Sequence, residues 1–342
     1  MNKHQRSSLI NQGILKKIFP GAVVLVVEDK TVLYHKAFGN RMVRPKTLPM
    51  EIDTIFDLAS LTKPIVISTL IMKLVEMKLV HLEKPIQHYL PEVKYNQISI
   101  LDLLTHRSGY PAWIAIYLNV TSNDKALEYL GQIKLTYETG KKVVYSCIGY
   151  ILLGMLIERI TNIPLNQLTK EWICDPLQMA DTFYNPPAHA EKRCAATEES
   201  NNFEQQKAEN HQKYNWRNGV IIGKVHDENA NFLSGVSGNA GLFSTARDIG
   251  TYCQMLIDGG KQILNQDSIN KIKDVYTKGL NSTRSIGWVV LKDKSLYHTG
   301  FTGTAIRLNL EKKAYEILLT NRVHPDASNT DILEFRDKFY NF

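Results

Sequence analysis

The chain has 342 residues, 44% of them hydrophobic, which suits one large domain or two closely fused lobes with an ample core. Its formal net charge is +7, but the basic residues are spread along the chain without aromatic interleaving. That argues against nucleic-acid binding and leaves a modest attraction for anionic substrates, while four scattered cysteines without a C-x-x-C pair speak for reduced thiols rather than a disulfide framework or zinc site.

At the N-terminus, Lys3, Arg6, Lys16 and Lys17 precede the apolar run Ile18 to Val27, an arrangement that invites a signal-peptide reading. No small-residue cleavage site follows, because Glu28-Asp29-Lys30 ends the run. The run reads better as the first strand of a hairpin, turned at 28–30 and answered by 31–39. Removing it would delete part of a sheet, so the expected location is cytoplasmic, with export left open. The spacing then predicts helices near 65–80, 124–133, 148–161, 165–173, 245–258 and 266–276, with a long polar surface loop over 191–213. Strand patterns follow at 285–291, 295–298, 304–310 and 314–320, and a closing helix at 332–339. The N-terminal hairpin must pair with these C-terminal strands, since two strands alone are marginal. No segment approaches the ~20 apolar residues of a membrane-spanning helix. The predicted class is mixed α+β: a single domain over 1–342 with an antiparallel sheet flanked by helices. Its sheet-containing lobe takes approximately 18–75 and 265–342, and an inserted helical lobe approximately 76–264.

Ser60 and Lys63 are three residues apart, so on a helix the lysine amine reaches the serine hydroxyl. A shielded lysine with a lowered pKa can take the proton of a serine that is otherwise a poor nucleophile. Pro64 is tolerated only where a backbone N–H has no helical partner, which places the helix start near Ser60. The N–H groups there favour a developing negative charge. The same residues also fit a serine N-cap followed by a surface lysine, so the reading depends on what accompanies them.

Two further motifs do. Tyr145-Ser146-Cys147 leads into an apolar helix pattern, and His298-Thr299-Gly300 follows the strand-like Ser295-Leu296-Tyr297. In order and spacing the three resemble the serine β-lactamase and penicillin-binding protein superfamily, its class C β-lactamase-like branch most of all. There the motifs read S-x-x-K, Y-x-N and K-T-G or H-x-G. Leu103-Leu104-Thr105-His106-Arg107-Ser108-Gly109 is similar to that branch's L-L-T-H-x-S-G, and Gly241 to Asp248 to its G-L-x-S-T-x-x-D helix start. The resemblance covers roughly residues 20 to 325. It implies a β-lactamase/transpeptidase-like fold with the catalytic serine helix in the seam between two lobes.

By this resemblance Ser60 attacks an amide or ester carbonyl to give an acyl-enzyme. Lys63 takes its proton or holds Tyr145 ready to, and Tyr145 passes the proton to the leaving group and later activates water. His298 stands where many relatives carry lysine, and would bind or polarise substrate while neutral or half-protonated near pH 7. Gly300 lets substrate approach the strand backbone, and the N–H of Phe301 joins that of Ser60 as an oxyanion donor. Cys147 departs from the pattern, since the family places Asn or Asp there to bind the substrate's side-chain amide. A thiol is a weak donor and poor acceptor. This puts β-lactam or acyl-amide recognition in doubt more than acylation itself, and makes a catalytically degenerate binding protein the competing class.

Trp216-Arg217, the stretch Gly223 to Ala230 and the stretch Gly235 to Gly241 resemble a subgroup with penicillin-binding protein 4B-like hydrolases and N-acetylmuramoyl-L-alanine amidases of cell-wall recycling. In that reading Arg217, His226 and Asn229 offer donors to a carboxylate or N-acetyl group of a muramyl-type substrate. The alternative is a self-satisfied polar loop capping the helix at Ser244. No second histidine lies at ligand spacing, so neither metal nor cofactor is expected. The expected activity is hydrolysis of an amide or ester in a small molecule, peptidoglycan-derived (muropeptide-type) by preference, a small ester or β-lactam otherwise. The oligomeric state is not legible.

Overall fold

A computed structural model of the protein describes residues 1–208 and 214–340. The N-terminal end supplies β1 (Gly21–Glu28), β2 (Thr31–Met42) and β3 (Leu48–Pro49). Three short strands follow far apart in sequence: β4 (Phe56–Asp57), β5 (Phe183–Tyr184) and β6 (Leu242–Ser244). The C-terminal end supplies β7 (Val289–Val290), β8 (Leu296–Thr299), β9 (Ala305–Asn309) and β10 (Ala314–Thr320). The two ends build one seven-stranded sheet in the order β3-β2-β1-β10-β9-β8-β7, antiparallel throughout. It closes where Val24 faces Leu318 and Leu25 faces Ile317, the pairing that the N-terminal hairpin required.

β1 is buried on both faces. Val23, Leu25 and Val27 enter the main core, whereas Ala22, Val24 and Val26 enter a second cluster. Burial on both sides explains why the segment reads as a continuous apolar run rather than an alternating one. The second cluster is closed by the C-terminal helix (Ile332–Tyr340) and by a helix over Lys3–Leu15. The N-terminal helix is absent from the sequence-based expectations. Its basic residues resemble a targeting segment, yet Asn2 and Gln5 form a capping box at its start and Arg6 pairs with Glu316 on β10. Another expectation shrinks: the strand over 285–291 reduces to β7, because the chain turns at Gly287 with φ +83°.

The middle of the chain is helical as expected, with Thr69–Glu76, Ala126–Gln132, Cys147–Thr161, Leu165–Thr169, Ala246–Ile257 and Gln266–Lys273 as principal helices. Among the described residues no single helix is long and apolar enough to cross a membrane. The polar stretch over 191–213 is more than a surface loop. Glu198, Asn201 and Glu204 are buried in it, and Asn202–Lys207 is helical; positions 209–213 lie outside the described residues. In the small sheet β4-β6-β5, the central strand β6 holds the approach to Ser60: Leu58 N–H donates to Leu242 O at 2.9 Å.

Candidate active site

Ser60 leaves β4 through a forced turn. Asp57 Oδ1 accepts the Ala59 N–H at 2.8 Å, and Ala59 adopts φ +47°. That left-handed conformation costs an L-residue about 1–2 kcal/mol and concentrates at functional sites. Ser60 then lies in a 3₁₀ turn (Ala59–Leu61), followed by a widened turn (Lys63–Ser68) and the regular helix Thr69–Glu76. Pro64 explains the widening, since it supplies no N–H to the helical ladder and its ring crowds the preceding turn. The helix start is where the sequence put it, in irregular form.

Lys63 has no exposed surface, and its Nζ donates to Ser60 Oγ at 2.9 Å and to Asn239 O at 2.8 Å. The second contact depends on Gly238, where a Cβ would lie 1.9 Å from Tyr150 O. Only glycine lets this segment press onto the Cys147–Thr161 helix and carry the Asn239 carbonyl to the amine. The expectation of a lowered lysine pKa is corrected here. Burial by itself disfavours the ammonium, but the Cys147 thiol and Tyr145 phenol, potential anions against it, more than offset burial and hold Lys63 above its ordinary value.

Tyr145, two residues before the Cys147–Thr161 helix, lies among cations and imidazoles. Lys63 Nζ is 5.1 Å and Arg284 Cζ 5.6 Å from its ring centroid, and the rings of His106 and His298 lie at 4.4 and 6.0 Å. Its Oη is buried beside the Lys63 amine and makes no hydrogen bond of ordinary length among the described residues. His298 on β8 is buried, with Nδ1 2.9 Å from Thr299 O, so Nδ1 carries the proton and Nε2 is left as an unpaired acceptor. Burial, then the charges of Arg284 and Lys63, hold His298 well below its ordinary value. Both the Nδ1 contact to Thr299 O and the lowered value favour the neutral ring over a half-protonated one. Burial and the same charges lower His106 too, and its Nδ1 accepts the Ser146 N–H at 3.1 Å.

Ser60, Tyr145 and His298 open together onto a cleft of about 460 Å³, whose wall includes Gly300 and Phe301. Gly300 is needed for close approach: a Cβ there would meet Leu58 O at 2.3 Å. The backbone N–H groups of Ser60 and Phe301 meet no protein acceptor among the described residues. Among the described residues no acidic side chain lines the cleft, but Arg284, Arg322 and Arg336 do. Arg322 and Arg336 donate to backbone carbonyls. The Arg284 guanidinium makes no hydrogen bond or ion pair among the described residues, and its Nε is buried.

Four other expected site residues are not among those that line the cleft. Cys147 is partly exposed, and its thiol lies against the Lys63 amine and the Asn239 carboxamide; burial pushes the thiol up. Arg217 donates to Glu228 and to the carbonyls of Val225 and His226. His226 Nε2 is 2.8 Å from Glu198 Oε2, and its ring stacks behind Phe301 at 5.5 Å. Asn229 accepts from Ile116 N–H and donates to Ile114 O, each at 2.8 Å. The donors expected to face a ligand are thus satisfied within the protein, because the loop folds over buried carboxylates. Asp227, for its part, caps the Glu228–Phe232 helix by accepting the Ala230 N–H.

Sequence reasoning missed Arg284, Arg322, Arg336 and Asn239. No local pattern flags the three arginines, whereas Asn239 lies inside the recognisable phrase Gly235 to Gly241.

Comparisons with known proteins give the family and the fold. The family model described as Beta-lactamase matches residues 8–339. An "N-acetylmuramyl-L-alanine amidase" of Bacillus subtilis (strain 168) is 32% identical, over 90% of this chain and 78% of its own length. A "Putative D-alanyl-D-alanine carboxypeptidase" of Escherichia coli (strain K12) is 30% identical, over 91% of this chain and 80% of its own. A solved class C β-lactamase superposes with a TM-score of 0.77 at 19% identity, covering 99% of this chain and 95% of that one. Sequence and fold lead to one assignment: the chain belongs to the β-lactamase family and is a hydrolase of it.

Proposed function

We propose that the protein forms an acyl-enzyme on Ser60 while cleaving an amide bond in a peptidoglycan-derived, muropeptide-type substrate. The observation that carries the reaction is the 2.9 Å contact from buried Lys63 to Ser60 Oγ at the cleft. In the resting protein Lys63 is charged, so it donates to Ser60 rather than accepting from it. Lys63 and Tyr145 must shed one proton between them before attack; that vacancy then receives the serine proton as Oγ adds to the carbonyl. Tyr145 Oη, buried beside the Lys63 amine, is placed to return the proton to the leaving nitrogen. Ser60 and Phe301 N–H groups serve the oxyanion, with neutral His298 offering Nε2 as an acceptor to the substrate.

The substrate class rests on charge. A cation in a cleft with no carboxylate among its described residues calls for an anionic partner, and Arg284 is such a cation. Peptide stems of muropeptides carry carboxylates, and the names of both relatives point to amide chemistry on cell-wall material. A small ester or a β-lactam is the second reading, favoured by Cys147 in place of the family's amide. Mass spectrometry of intact protein after a fluorophosphonate or penicillin probe should show a single adduct, on Ser60. An unlabelled protein beside a labelled control would leave the binding-protein reading instead. Arg284→Met should raise KM for a muropeptide by about tenfold, the worth of one charge-assisted contact, and leave a neutral chromogenic ester unchanged. Equal effects on both would remove the anionic-substrate assignment.

A further inference from the structure

Two buried arginines grip the turn that carries the strand-side N–H. Arg336, 5% exposed on the C-terminal helix, donates from Nη2 to Gly300 O and Thr304 O, each at 2.9 Å. Arg322, 7% exposed just after β10, donates from Nε to Phe301 O at 2.8 Å and from Nη1 to the carbonyls of Ala327 and Asn329. Neither forms an ion pair with a carboxylate among the described residues. Burying a cation without a counter-ion is costly, and an apolar side chain of similar size would fill the space at less cost in stability. These two cations are kept for something other than packing.

The Gly300 carbonyl and the Phe301 N–H belong to one peptide group. In a trans peptide the two point in opposite directions. With Gly300 O held by Arg336 and by the Gly303 N–H at 3.1 Å, the Phe301 N–H is turned to the other side, where no acceptor among the described residues meets it. Arg322 holds the next carbonyl, so this peptide cannot rotate without breaking contacts on either side. Two threonine hydroxyls fix the turn against the serine segment: Thr302 Oγ1 donates to Asp57 O at 2.7 Å and Thr304 Oγ1 to Leu58 O at 3.0 Å. The separation between the Ser60 and Phe301 N–H groups is thereby set by side chains that touch neither.

We propose that Arg336, backed by Arg322, is a positioning residue that holds the Gly300–Phe301 peptide with its N–H toward the oxyanion. Flipped, the same peptide would present a carbonyl oxygen to the developing negative charge and repel it. The inference rests on the reading of Ser60 as nucleophile, and the experiment separates the two. Arg336→Met and Arg336→Lys would be compared with the native protein in turnover of a neutral chromogenic ester and in affinity for a boronic acid that forms a tetrahedral serine adduct. Arg336→Met should lower kcat by about 10²-fold, the usual effect of losing one oxyanion donor. KM should stay within twofold of the native value, while boronic acid affinity falls in parallel with kcat. Arg336→Lys, which restores one donor to Gly300 O, should lie between them and serves alone if the methionine variant does not fold. Unchanged kcat and boronate affinity would overturn the proposal, as would a change confined to KM, or a loss of kcat no larger than the loss of folded protein. Native protein that takes no fluorophosphonate adduct on Ser60 would remove the nucleophile reading and this inference with it; labelled native protein with fully active arginine variants would remove the inference alone.

Discussion

A lysine with no exposed surface, held between Ser60 Oγ and Asn239 O, stays charged only because its neighbours favour the charge. Replacing Ser60 by Ala should abolish acylation, and replacing Lys63 by Ala should slow it by several orders of magnitude with the melting temperature little changed. Near-native turnover in either variant would refute the mechanism. The pH dependence follows from the direction of two shifts. Lys63 is held above its ordinary value and must share in losing a proton before attack, so kcat/KM for a neutral ester should climb through neutrality into the alkaline range. His298 is held well below 6.5 and keeps one charge state over that range. A rate profile that levels off just above 6.5 would assign the limb to a histidine and contradict this picture. Cys147 offers a third test. An asparagine there can accept from Lys63 and donate to a substrate carbonyl, so Cys147→Asn should raise turnover of acyl-amide substrates or β-lactams more than turnover of simple esters. If both fall equally, the thiol serves packing beside Lys63 and has no part in recognition.

Between elements, the site depends on how closely β8 approaches the segment that carries Ser60. At Gly300 a Cβ would meet Leu58 O at 2.3 Å and Thr304 Oγ1 at 2.2 Å, neither of which can move without breaking the Thr304–Leu58 bond. Gly300→Ala should therefore cost about 1–3 kcal/mol, the usual penalty of overpacking, and push the Phe301 N–H away from Ser60. Urea denaturation together with ester turnover would check both halves; a variant that is destabilised yet fully active would show that the strand-side donor is dispensable. The same contact shows what was legible in the sequence. Ser60, Lys63, Tyr145 and His298 carry local phrases, and the need of a lone N-terminal hairpin for partners foretold that the two ends of the chain pair in one sheet. Arg284, Arg322 and Arg336 were not, because an arginine's role here depends on which carbonyls or rings the tertiary fold brings to it. The N-terminal helix escaped for a related reason: it is short and weakly amphipathic, and its stability comes from packing of Ile10 and Gly13 against Phe19 and Phe335. Arg217, His226 and Asn229 illustrate the opposite error, polar residues in a recognisable phrase whose partners turned out to be the protein itself.

Among the described residues the molecule segregates its charge: the cleft has cations without acids, and a buried set of acids lies directly behind the serine segment. Asp57 accepts the N–H of Ala59 on one oxygen and of His226 on the other, linking the Ser60 turn to the loop that contains Glu198, Glu204 and Glu228. Glu204 is the member whose titration is most exposed to test. It is 6% exposed, accepts the Glu228 N–H at 2.9 Å and the Tyr117 hydroxyl at 3.2 Å, and has no cation bound to it among the described residues. Burial, and after it the charge of Asp227, push its carboxyl well above the ordinary value of 4.5. For an acid raised in the folded state, the native protein holds the proton more tightly than the unfolded chain. Its stabilising contribution is therefore complete below the unfolded pKa and is lost as pH rises through the folded one. Glu204→Gln keeps an acceptor for Glu228 and removes the titration. The variant should match the native protein in urea denaturation at about pH 4, below the ordinary glutamate pKa, and become progressively the more stable of the two toward about pH 8. A stability difference that stays constant with pH would show that Glu204 does not titrate against folding. A difference of the opposite sign would mean that its ionised form is what holds the loop, and with it the approach to Ser60, in place.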